Sequence, residues 1–566
     1  MTNNIRLHEA AYEELRLVYG GAQAADVLTR IERLIADFPV QPASSELALS
    51  ERDALIIAYG DHVQREGEAP LATLRDVIKR LALPTSGLHI LPFYPYSSDD
   101  GFSVIDYKAV DPALGTWADV RALSADFRTM FDAVFNHISA HSAWFQAFLR
   151  GEAPYTGYFI TVDSSVDLAQ VTRPRALPLL TPFETANGRK HVWTTFSDDQ
   201  IDLNAANPDV LLALLGVLLF YVAQGAQFIR LDAIAFLWKE IGTTCVHLPQ
   251  THALIQVMRD VLDVVAPGTI LITETNVPQR ENLSYFGDGA NEAQLVYQFP
   301  LPPLILHTLQ TGDARRLSDW ALSVRRVSER TTFFNFTASH DGIGLRPASG
   351  ILSDEEISAL VERTLAQGGF VSYRSNSDGT QSPYEMNITY FDAITPPSVT
   401  ERDPQTAMDR FIVSQAIMLA FVGMPGIYLP SLFGLHNDRE GAAKTGRYRS
   451  INREKLDADA LLAQLADPAT LPARVFARYK RLLEARAAEP AFHPLGTQRV
   501  LSLDERVFAL ERTSPDGDKL LALHNVSGNH VAVTLPASGI NRFDGQRYTG
   551  DLTLTPYQVL WLALEG

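Results

Sequence analysis

Cysteine is almost missing from the 566-residue chain, which carries Cys245 alone. A single thiol cannot close a disulfide within the chain, and it excludes the paired cysteines of many zinc and redox sites. Long apolar runs are missing too, because the longest, residues 210–223, is shorter than the ~20 residues that cross a bilayer. The N-terminus shows no basic segment followed by an apolar one, so we expect a cytoplasmic protein.

Basic residues are outnumbered, with 48 Lys and Arg against 66 Asp and Glu and a formal net charge of −18. A surface this acidic argues against nucleic acid or an anionic membrane as a partner. The glycine-rich signatures of nucleotide sites, the GxSxG elbow of serine hydrolases and the HExxH motif of zinc peptidases are not found. The sequence therefore predicts a protein without a cofactor or metal, whose partners are small molecules.

Short apolar runs are plentiful, and eight of them read as buried strands. They cover residues 54–60, 88–95, 130–137, 228–233, 270–275, 295–301, 332–341 and 426–430. Most are continuous rather than alternating, which is typical of strands buried on both faces of a parallel sheet. Helical segments lie between most of them, for example 209–224 and 251–265. This alternation predicts an α/β fold, a (β/α)8 TIM barrel.

The chain is longer than the ~250 residues of a simple barrel, so we expect additional parts. Residues 1–52 are predicted to be a helical N-terminal extension that covers the underside of the barrel or makes a subunit contact, which leaves a homodimer open. The barrel is predicted over 53–493, with insertions at about 138–200 after the third strand and about 345–410 after the seventh. Alternating apolar segments beyond residue 494 predict an antiparallel β domain over 494–566.

Polar residues follow several predicted strands, at the barrel end where catalytic groups lie. They are the run 99–102 after the second strand, His137 after the third, Arg230 and Asp232 at the fourth, Glu274 after the fifth, and His340 and Asp341 at the seventh. Clustered carboxylates suit glycosidic chemistry, which needs a nucleophile, an acid/base and a sugar-binding group. Two other interpretations stay open at this point, because a carboxylate at a strand end also caps loops or ligates metals.

The segments DAVFNH at 132–137, FIRLDA at 228–233, ITETN at 272–276 and ASHDGIG at 338–344 resemble, in combination, the four conserved regions of the α-amylase superfamily of glycoside hydrolases. HILPFYPYSSDDGF at 89–102, RPR at 173–175 and YRSINR at 448–453 are similar to its sucrose phosphorylase branch. Within that branch, 171–183, 192–204 and 382–387 most resemble the glucosylglycerate phosphorylases. Thr172 and Glu385 stand where sucrose phosphorylases tend to carry tyrosine and glutamine, which counts against sucrose as the donor.

The resemblance implies a retaining glycoside phosphorylase, a hexosyltransferase. It would convert 2-O-α-glucosylglycerate and phosphate reversibly into α-glucose 1-phosphate and glycerate through a covalent glucosyl-enzyme. By resemblance Asp232 is the nucleophile, Glu274 the acid/base and Asp341 the stabiliser of the transition state. A sucrose phosphorylase and a glucosylglycerol phosphorylase are the alternatives within the class. A catalytically inactive carbohydrate-binding barrel is the alternative from another class.

The same resemblance implies two groups of binding residues. Glucose would be bound by Asp99, Phe102, His137 and His340, beside Arg230, which would keep Asp232 ionised and oriented. The acceptor would be bound by Arg175, Arg449, Tyr384 and Glu385. Arginine suits phosphate and carboxylate because its rigid fork matches two oxygens at once. Since the whole chain is acidic, we expect these arginines to make the barrel mouth locally positive.

Overall fold

The computed structural model describes residue 7, residues 9–36, residue 38, residues 48–376 and residues 380–565. The remainder of the predicted extension, residues 1–6, 8, 37 and 39–47, lies outside the described residues. No described helix is both long and apolar enough to span a membrane.

Eight parallel strands close into a barrel, as the apolar runs predict. In chain order they are β1 Leu55–Ala58, β2 Gly87–Ile90, β3 Arg128–Ala133, β4 Ala226–Leu231, β5 Ile270–Thr273, β6 Leu295–Tyr297, β7 Thr332–Asn335 and β8 Met424–Tyr428. Each strand pairs with the next, and β8 pairs with β1 through Ile57 and Tyr428. Almost every strand residue is buried, because helices cover the outer face while side chains fill the inside.

Helices surround the barrel, and several begin with proline, which has no backbone N–H to leave unbonded in the first turn. The apolar run 210–223 lies in the helix Pro208–Ala223, which starts after the capping Asn207. The other α-helices from β1 to the end of the barrel are Pro70–Leu81, Trp117–Asp126, Ala143–Leu149, Pro249–Val265, Gln279–Leu283, Leu301–Thr311, Arg315–Ala321, Asp354–Ala366, Tyr390–Ile394, Pro397–Arg402, Pro404–Ala420, Arg439–Thr445, Ala458–Ala466 and Leu471–Ala487.

Two long connections lie at the carboxyl end of the barrel. The one after β3 contains the antiparallel pair His137–Ser139 and Gln200–Asp202 and the hairpin Leu180–Thr185 with Gly188–Trp193. The one after β7 contains a three-stranded sheet in the order Ile343–Gly344, Gln381–Asn387, Phe370–Ser375. Their side chains form the rim of the cavity described below.

The C-terminal strands form an antiparallel sheet, as the alternating pattern predicts. Its order is Thr497–Leu501, Val507–Thr513, Lys519–Asn525, Val559–Leu564, Gly539–Asn541 and Arg547–Tyr548, with a separate pair of Val531–Thr534 and Asp551–Leu554. The buried Arg512 joins this sheet to the barrel, since its guanidinium donates to the carbonyls of Ala420 and Phe421 at 2.8 and 2.9 Å.

Two N-terminal helices, Glu9–Tyr19 and Gly21–Ala36, lie against the outer helices that precede β4 and β5. Their apolar faces join the main core, and the Tyr19 hydroxyl donates to the carbonyl of Ala205 at 3.0 Å. Arg30 forms an ion pair with Asp209 in the first turn of the helix Pro208–Ala223. The described part of the extension therefore packs on the side of the barrel.

Candidate active site

One cleft of about 730 Å³ lies at the carboxyl ends of the strands. It is lined by Asp99, Phe102, His137, Pro174, Arg175, Phe196, Gln200, Asp232, Ala233, Ala235, Phe236, Glu274, Thr275, Asn276, Val277, His340, Asp341, Arg346, Tyr384 and Arg449. Ten of the twelve residues singled out in the sequence therefore line it. The other two lie directly behind lining residues, since Arg230 contacts Asp232 and Glu385 contacts Arg449.

Arg230 and Asp232 project from the same side of β4, since they are two residues apart on one strand. Nη1 of Arg230 donates to Oδ1 of Asp232 at 2.7 Å and also to the fully buried Asp132 on β3. Nε2 of His89 on β2 contacts the second oxygen of Asp132 at 2.7 Å. Asp132 and His89 thus hold the arginine that orients Asp232.

Glu274 follows β5, and its Oε2 accepts a hydrogen bond from the backbone N–H of Ala233 at 3.2 Å. Ala233 has a left-handed backbone with φ of 49°, a conformation that non-glycine residues seldom adopt. The turn made there directs its N–H toward Glu274. Nη2 of Arg230 lies 4.0 Å from the same oxygen, which is beyond hydrogen-bonding distance.

Asp232 and Glu274 are two buried carboxyls that are both harder to ionise than a free carboxyl. Burial raises the pKa of both carboxyls, and each negative charge disfavours a further charge nearby. Arg230 donates directly to Asp232 but only approaches Glu274, so its positive charge stabilises the ionised form of Asp232 more directly than that of Glu274. Unequal surroundings of this kind favour different protonation states for two similar groups.

Asp341 follows β7 and contacts Arg449, with 2.5 Å between Oδ1 and Nη1. Burial alone would raise the pKa of Asp341, but the positive charges of Arg449, Arg453 and Arg230 outweigh it and hold that pKa far below its usual range. Arg449 also donates from Nε and Nη2 to the two oxygens of the buried Glu385, at 2.9 and 2.6 Å. Its positive charge is thus already balanced by two carboxylates.

Phe102, His137 and His340, which were assigned to glucose, lie close together in the cleft. The Phe102 ring stacks on the His340 imidazole with 4.7 Å between centroids and 7° between planes. Nε2 of His137 contacts the carbonyl of Phe102 at 2.9 Å and Nε2 of Gln200 at 3.1 Å. Burial lowers the pKa of both histidines, so they present neutral rings.

Asp99 reaches the cleft from a short 3₁₀ turn, Asp99–Gly101, that has an unusual backbone. Asp99 and Asp100 have φ of 53° and 49°, which is the left-handed region. Arg453 forms an ion pair with Asp100, and Arg447 approaches the same carboxylate at 3.4 Å. These arginines hold the turn that points Asp99 inward, so the strain is stabilised from outside the cleft.

The expectation of a positive barrel mouth is wrong for the cleft as a whole. Its lining holds four carboxylates, namely Asp99, Asp232, Glu274 and Asp341, beside three arginines, namely Arg175, Arg346 and Arg449. Arg449 is already bonded to Asp341 and Glu385. Of the three arginines that line the cleft, Arg175 and Arg346 therefore make no ion pair with the described residues.

Several lining residues were missed in the sequence. Phe196 and Gln200 belong to the insertion after β3, whose resemblance was noted only as a block. Asn276 is the last residue of the ITETN segment, and Arg346 lies five positions after Asp341. The signal for Arg346 is its place just after the GIG of 342–344, because the loop after a barrel strand faces the site.

Comparison with known proteins shows which protein family the chain belongs to. The family model of the alpha amylase catalytic domain matches residues 73–345. A glucosylglycerate phosphorylase of Allomeiothermus silvanus is 50% identical over 558 residues, covering 98% of each chain. The Escherichia coli glucosylglycerate phosphorylase is 44% identical over 551 residues, covering 96% of this chain and 98% of that one.

More distant relatives agree with this placement. A sucrose phosphorylase of Agrobacterium vitis is 31% identical over 463 residues, covering 77% of this chain and 88% of its own. The crystal structure of a sucrose 6F-phosphate phosphorylase from Thermoanaerobacter thermosaccharolyticum has the same fold, with a TM-score of 0.75 at 24% identity, covering 90% of this chain and all of that one. The resemblance noted in the sequence is confirmed, and the chain belongs to the glucosylglycerate phosphorylase family of the α-amylase superfamily.

Proposed function

We propose that this protein is a retaining phosphorylase that converts 2-O-α-glucosylglycerate and phosphate into α-glucose 1-phosphate and glycerate. One observation carries the mechanism, namely the unequal contact of Arg230 with the two buried carboxyls. The arginine lies 2.7 Å from Asp232 and 4.0 Å from Glu274. This difference supports an ionised nucleophile beside a protonated acid, the pair that a double displacement requires.

In the first step an oxygen of Asp232 attacks the anomeric carbon of the bound glucoside. The glycosidic C–O bond breaks as the new ester bond forms, and Glu274 gives its proton to the departing oxygen of glycerate. The products are a β-glucosyl ester of Asp232, a neutral glycerate hydroxyl and an ionised Glu274. When Asp232 becomes a neutral ester, Arg230 still donates a hydrogen bond to the carboxylate of Asp132.

In the second step phosphate takes the place of glycerate. An oxygen of phosphate attacks the anomeric carbon, its proton passes to Glu274, and the ester bond to Asp232 breaks. The two inversions restore the α configuration. Asp232 is again a carboxylate and Glu274 again an acid, so the enzyme returns to its starting state.

Asp341 and the histidines serve the sugar in this proposal. Asp341 stays ionised because Arg449 and Arg453 lower its pKa, so it accepts hydrogen bonds from glucose hydroxyls as positive charge develops on the ring. His137 and His340 are neutral and suit neutral hydroxyl groups. The stacked pair of Phe102 and His340 offers a flat apolar surface to the sugar ring.

The acceptor side has to hold an anion in both steps, because glycerate leaves where phosphate enters. Arg175 lines the cleft without an ion pair in the described residues, which supports its assignment to this anion. Tyr384 lies near Arg175, and burial raises its pKa to about 12, so the phenol stays protonated and can donate. Arg449 acts in this proposal through Asp341 and Glu385.

We also propose that the enzyme works in the cytoplasm, with small molecules and no nucleic acid or membrane as partners. The net charge of −18 and the single thiol support this. Light scattering on the purified protein would decide between a monomer and a homodimer.

The test is product analysis with glucosylglycerate in the presence and absence of phosphate. We expect α-glucose 1-phosphate only with phosphate, and none from Asp232→Ala. In the reverse direction, glucose 1-phosphate is offered with glycerate, glycerol or fructose, and glycerate should be consumed fastest. Free glucose formed at an equal rate without phosphate would refute phosphorolysis, while a preference for fructose or glycerol would assign the alternative donors. No turnover with any pair would favour an inactive binding barrel.

A further inference from the structure

Arg346 is a cation of the cleft that the proposed mechanism does not use. It begins the short 3₁₀ turn Arg346–Ala348, directly after the strand Ile343–Gly344 that follows Asp341. Its guanidinium makes no hydrogen bond or ion pair with the described residues, although it lines the cleft together with the reacting carboxyls. Arg449, by contrast, is bonded to two carboxylates.

The surroundings of Arg346 are unfavourable for a charge without an anion. Burial and the neighbouring positive charge of Arg374 lower the pKa of Arg346, and Tyr384 and Glu281, which raise it, do not compensate for this. An arginine side chain nevertheless stays charged in a protein. A partly buried guanidinium without a counterion is costly, so the site is ready for an anionic ligand.

A buried hydrogen-bond acceptor without a partner among the described residues lines the same cleft. Oδ1 of Asn276 is buried and makes no hydrogen bond in the described structure. Nδ2 of the same amide donates to the Tyr384 hydroxyl at 3.5 Å, which leaves the tyrosine proton for a ligand. The backbone N–H of Leu345 donates to the carbonyl of Tyr384 at 3.0 Å, and this bond joins the two loops. We call Arg346, Asn276 and Tyr384 together the Arg346 wall.

Gly344 explains why the amide can lie in this place. A Cβ atom at position 344 would approach both Oδ1 and Nδ2 of Asn276 to 3.0 Å, which is tighter than ordinary contact. Glycine therefore allows the amide to pack directly on the backbone that leads to Arg346. The wall offers a forked cation, a hydroxyl donor and an amide oxygen that lacks a donor in the described structure.

We propose that Arg346 determines the acceptor specificity of the enzyme by binding the carboxylate of glycerate, while Asn276 accepts a hydrogen bond from a hydroxyl of the same molecule. This inference rests on the proposed function. A small hydroxy acid carries both groups that the wall lacks, namely two carboxylate oxygens for the fork and an O–H for the amide. A neutral triol such as glycerol meets only the amide and the tyrosine.

The experiment compares two acceptors for one glucosyl-enzyme. α-D-Glucosyl fluoride is the donor, because fluoride leaves without a proton, and glycerate and glycerol compete in the same reaction. The ratio of glucosylglycerate to glucosylglycerol then depends on the second step alone. Hydrogen bonds to charged groups contribute enough that Arg346→Gln should lower this ratio about 10- to 100-fold. Arg346→Lys, which keeps the charge but not the fork, should recover part of the loss.

Arg374→Gln is the matched control, because it removes a neighbouring positive charge that does not line the cleft. Its ratio should stay within about fivefold of the wild type, as expected for a charge that acts only at a distance. The rate of glucosyl transfer to glycerol shows in every variant that the folded enzyme still reacts. A third arm replaces glycerate by inorganic phosphate and measures whether Arg346 also serves that anion.

An unchanged ratio of glycerate to glycerol in Arg346→Gln would overturn the inference, whatever happens to phosphate. An equal loss in Arg374→Gln would also overturn it, because the effect would then be general electrostatics. These outcomes differ from a failure of the proposed function, in which the wild-type enzyme itself would transfer no glucose to glycerate.

Discussion

Glu274→Gln is the substitution that separates proton transfer from every other part of the proposed mechanism. Glutamine has nearly the same size, and its amide oxygen can still accept the 3.2 Å hydrogen bond from Ala233. Arg230 lies 4.0 Å away and makes no direct bond that the change would break. The variant therefore loses the titratable proton and little else.

The magnitude follows from what the proton does for each leaving group. Glycerate has to leave as an alcohol, and general acid catalysis supplies about 10²- to 10⁴-fold, or about 3 to 5.5 kcal/mol of barrier. Fluoride leaves as a stable anion and needs no such proton. We expect Glu274→Gln to reduce kcat/KM for glucosylglycerate phosphorolysis by at least about 10²-fold, and the first-turnover release of fluoride from α-D-glucosyl fluoride, which reports the first step alone, by less than about tenfold.

The pH dependence gives the same test in the wild-type enzyme. Burial raises the pKa of Glu274, and the reacting form carries the proton. The rate with glucosylglycerate should therefore fall as the pH rises through this raised pKa, whereas fluoride release should not show that fall. Values of kcat/KM for both donors across the pH range measure this, because they report the first step. Equal losses for the two donors in Glu274→Gln, with matching pH profiles in the wild type, would refute the assignment of Glu274 as the acid.

Three further predictions concern stability, measured by urea denaturation. Glu274→Gln should be more stable than the wild type at pH 7. Because folding raises the pKa of Glu274, the stability that the protonated acid contributes is complete below its ordinary pKa of 4.5 and is lost as the pH rises through the raised pKa. A stability difference between wild type and variant that is the same at pH 7 and at pH 4 would contradict this. Asp132→Asn removes a negative charge that balances the buried Arg230 and should lower the free energy of unfolding by about 3 to 5 kcal/mol. A loss below about 1 kcal/mol would argue against the importance of the contact between Asp132 and Arg230. Glu385→Gln should cost about 1.5 to 3 kcal/mol, since Arg449 loses a charged partner but keeps Asp341, and unchanged stability together with unchanged kcat would contradict its role in holding that arginine.

The barrel and its carboxylates could be predicted because their signals are local. A strand buried on both faces has to be apolar along its length, so β4 is visible as a run that ends at Asp232. The alternation of such runs with helices leaves few architectures. The acidic residues at the strand ends are conspicuous because a core would not tolerate them without a purpose.

The acceptor side could be predicted only in part, because its contacts join distant segments. The pairing of Arg449 with Glu385 links residues 64 positions apart, and neither segment contains a pattern that predicts the contact. Both residues were assigned to the acceptor from resemblance, and the structure shows that they satisfy each other. Arg346 was missed because an arginine in a polar loop resembles any solvated residue until the fold brings it beside Asn276 and Tyr384.

The most direct measurement of the double displacement is the isolation of the glucosyl-enzyme. Glu274→Gln is mixed with α-D-glucosyl fluoride, and the intact protein and its peptides are analysed by mass spectrometry. We expect one glucosyl group attached to Asp232, because the first step needs no acid and the second lacks its base. Addition of phosphate should then release α-glucose 1-phosphate faster than water releases glucose. No adduct, an adduct on another residue, or discharge to glucose at the same rate without phosphate would contradict the mechanism.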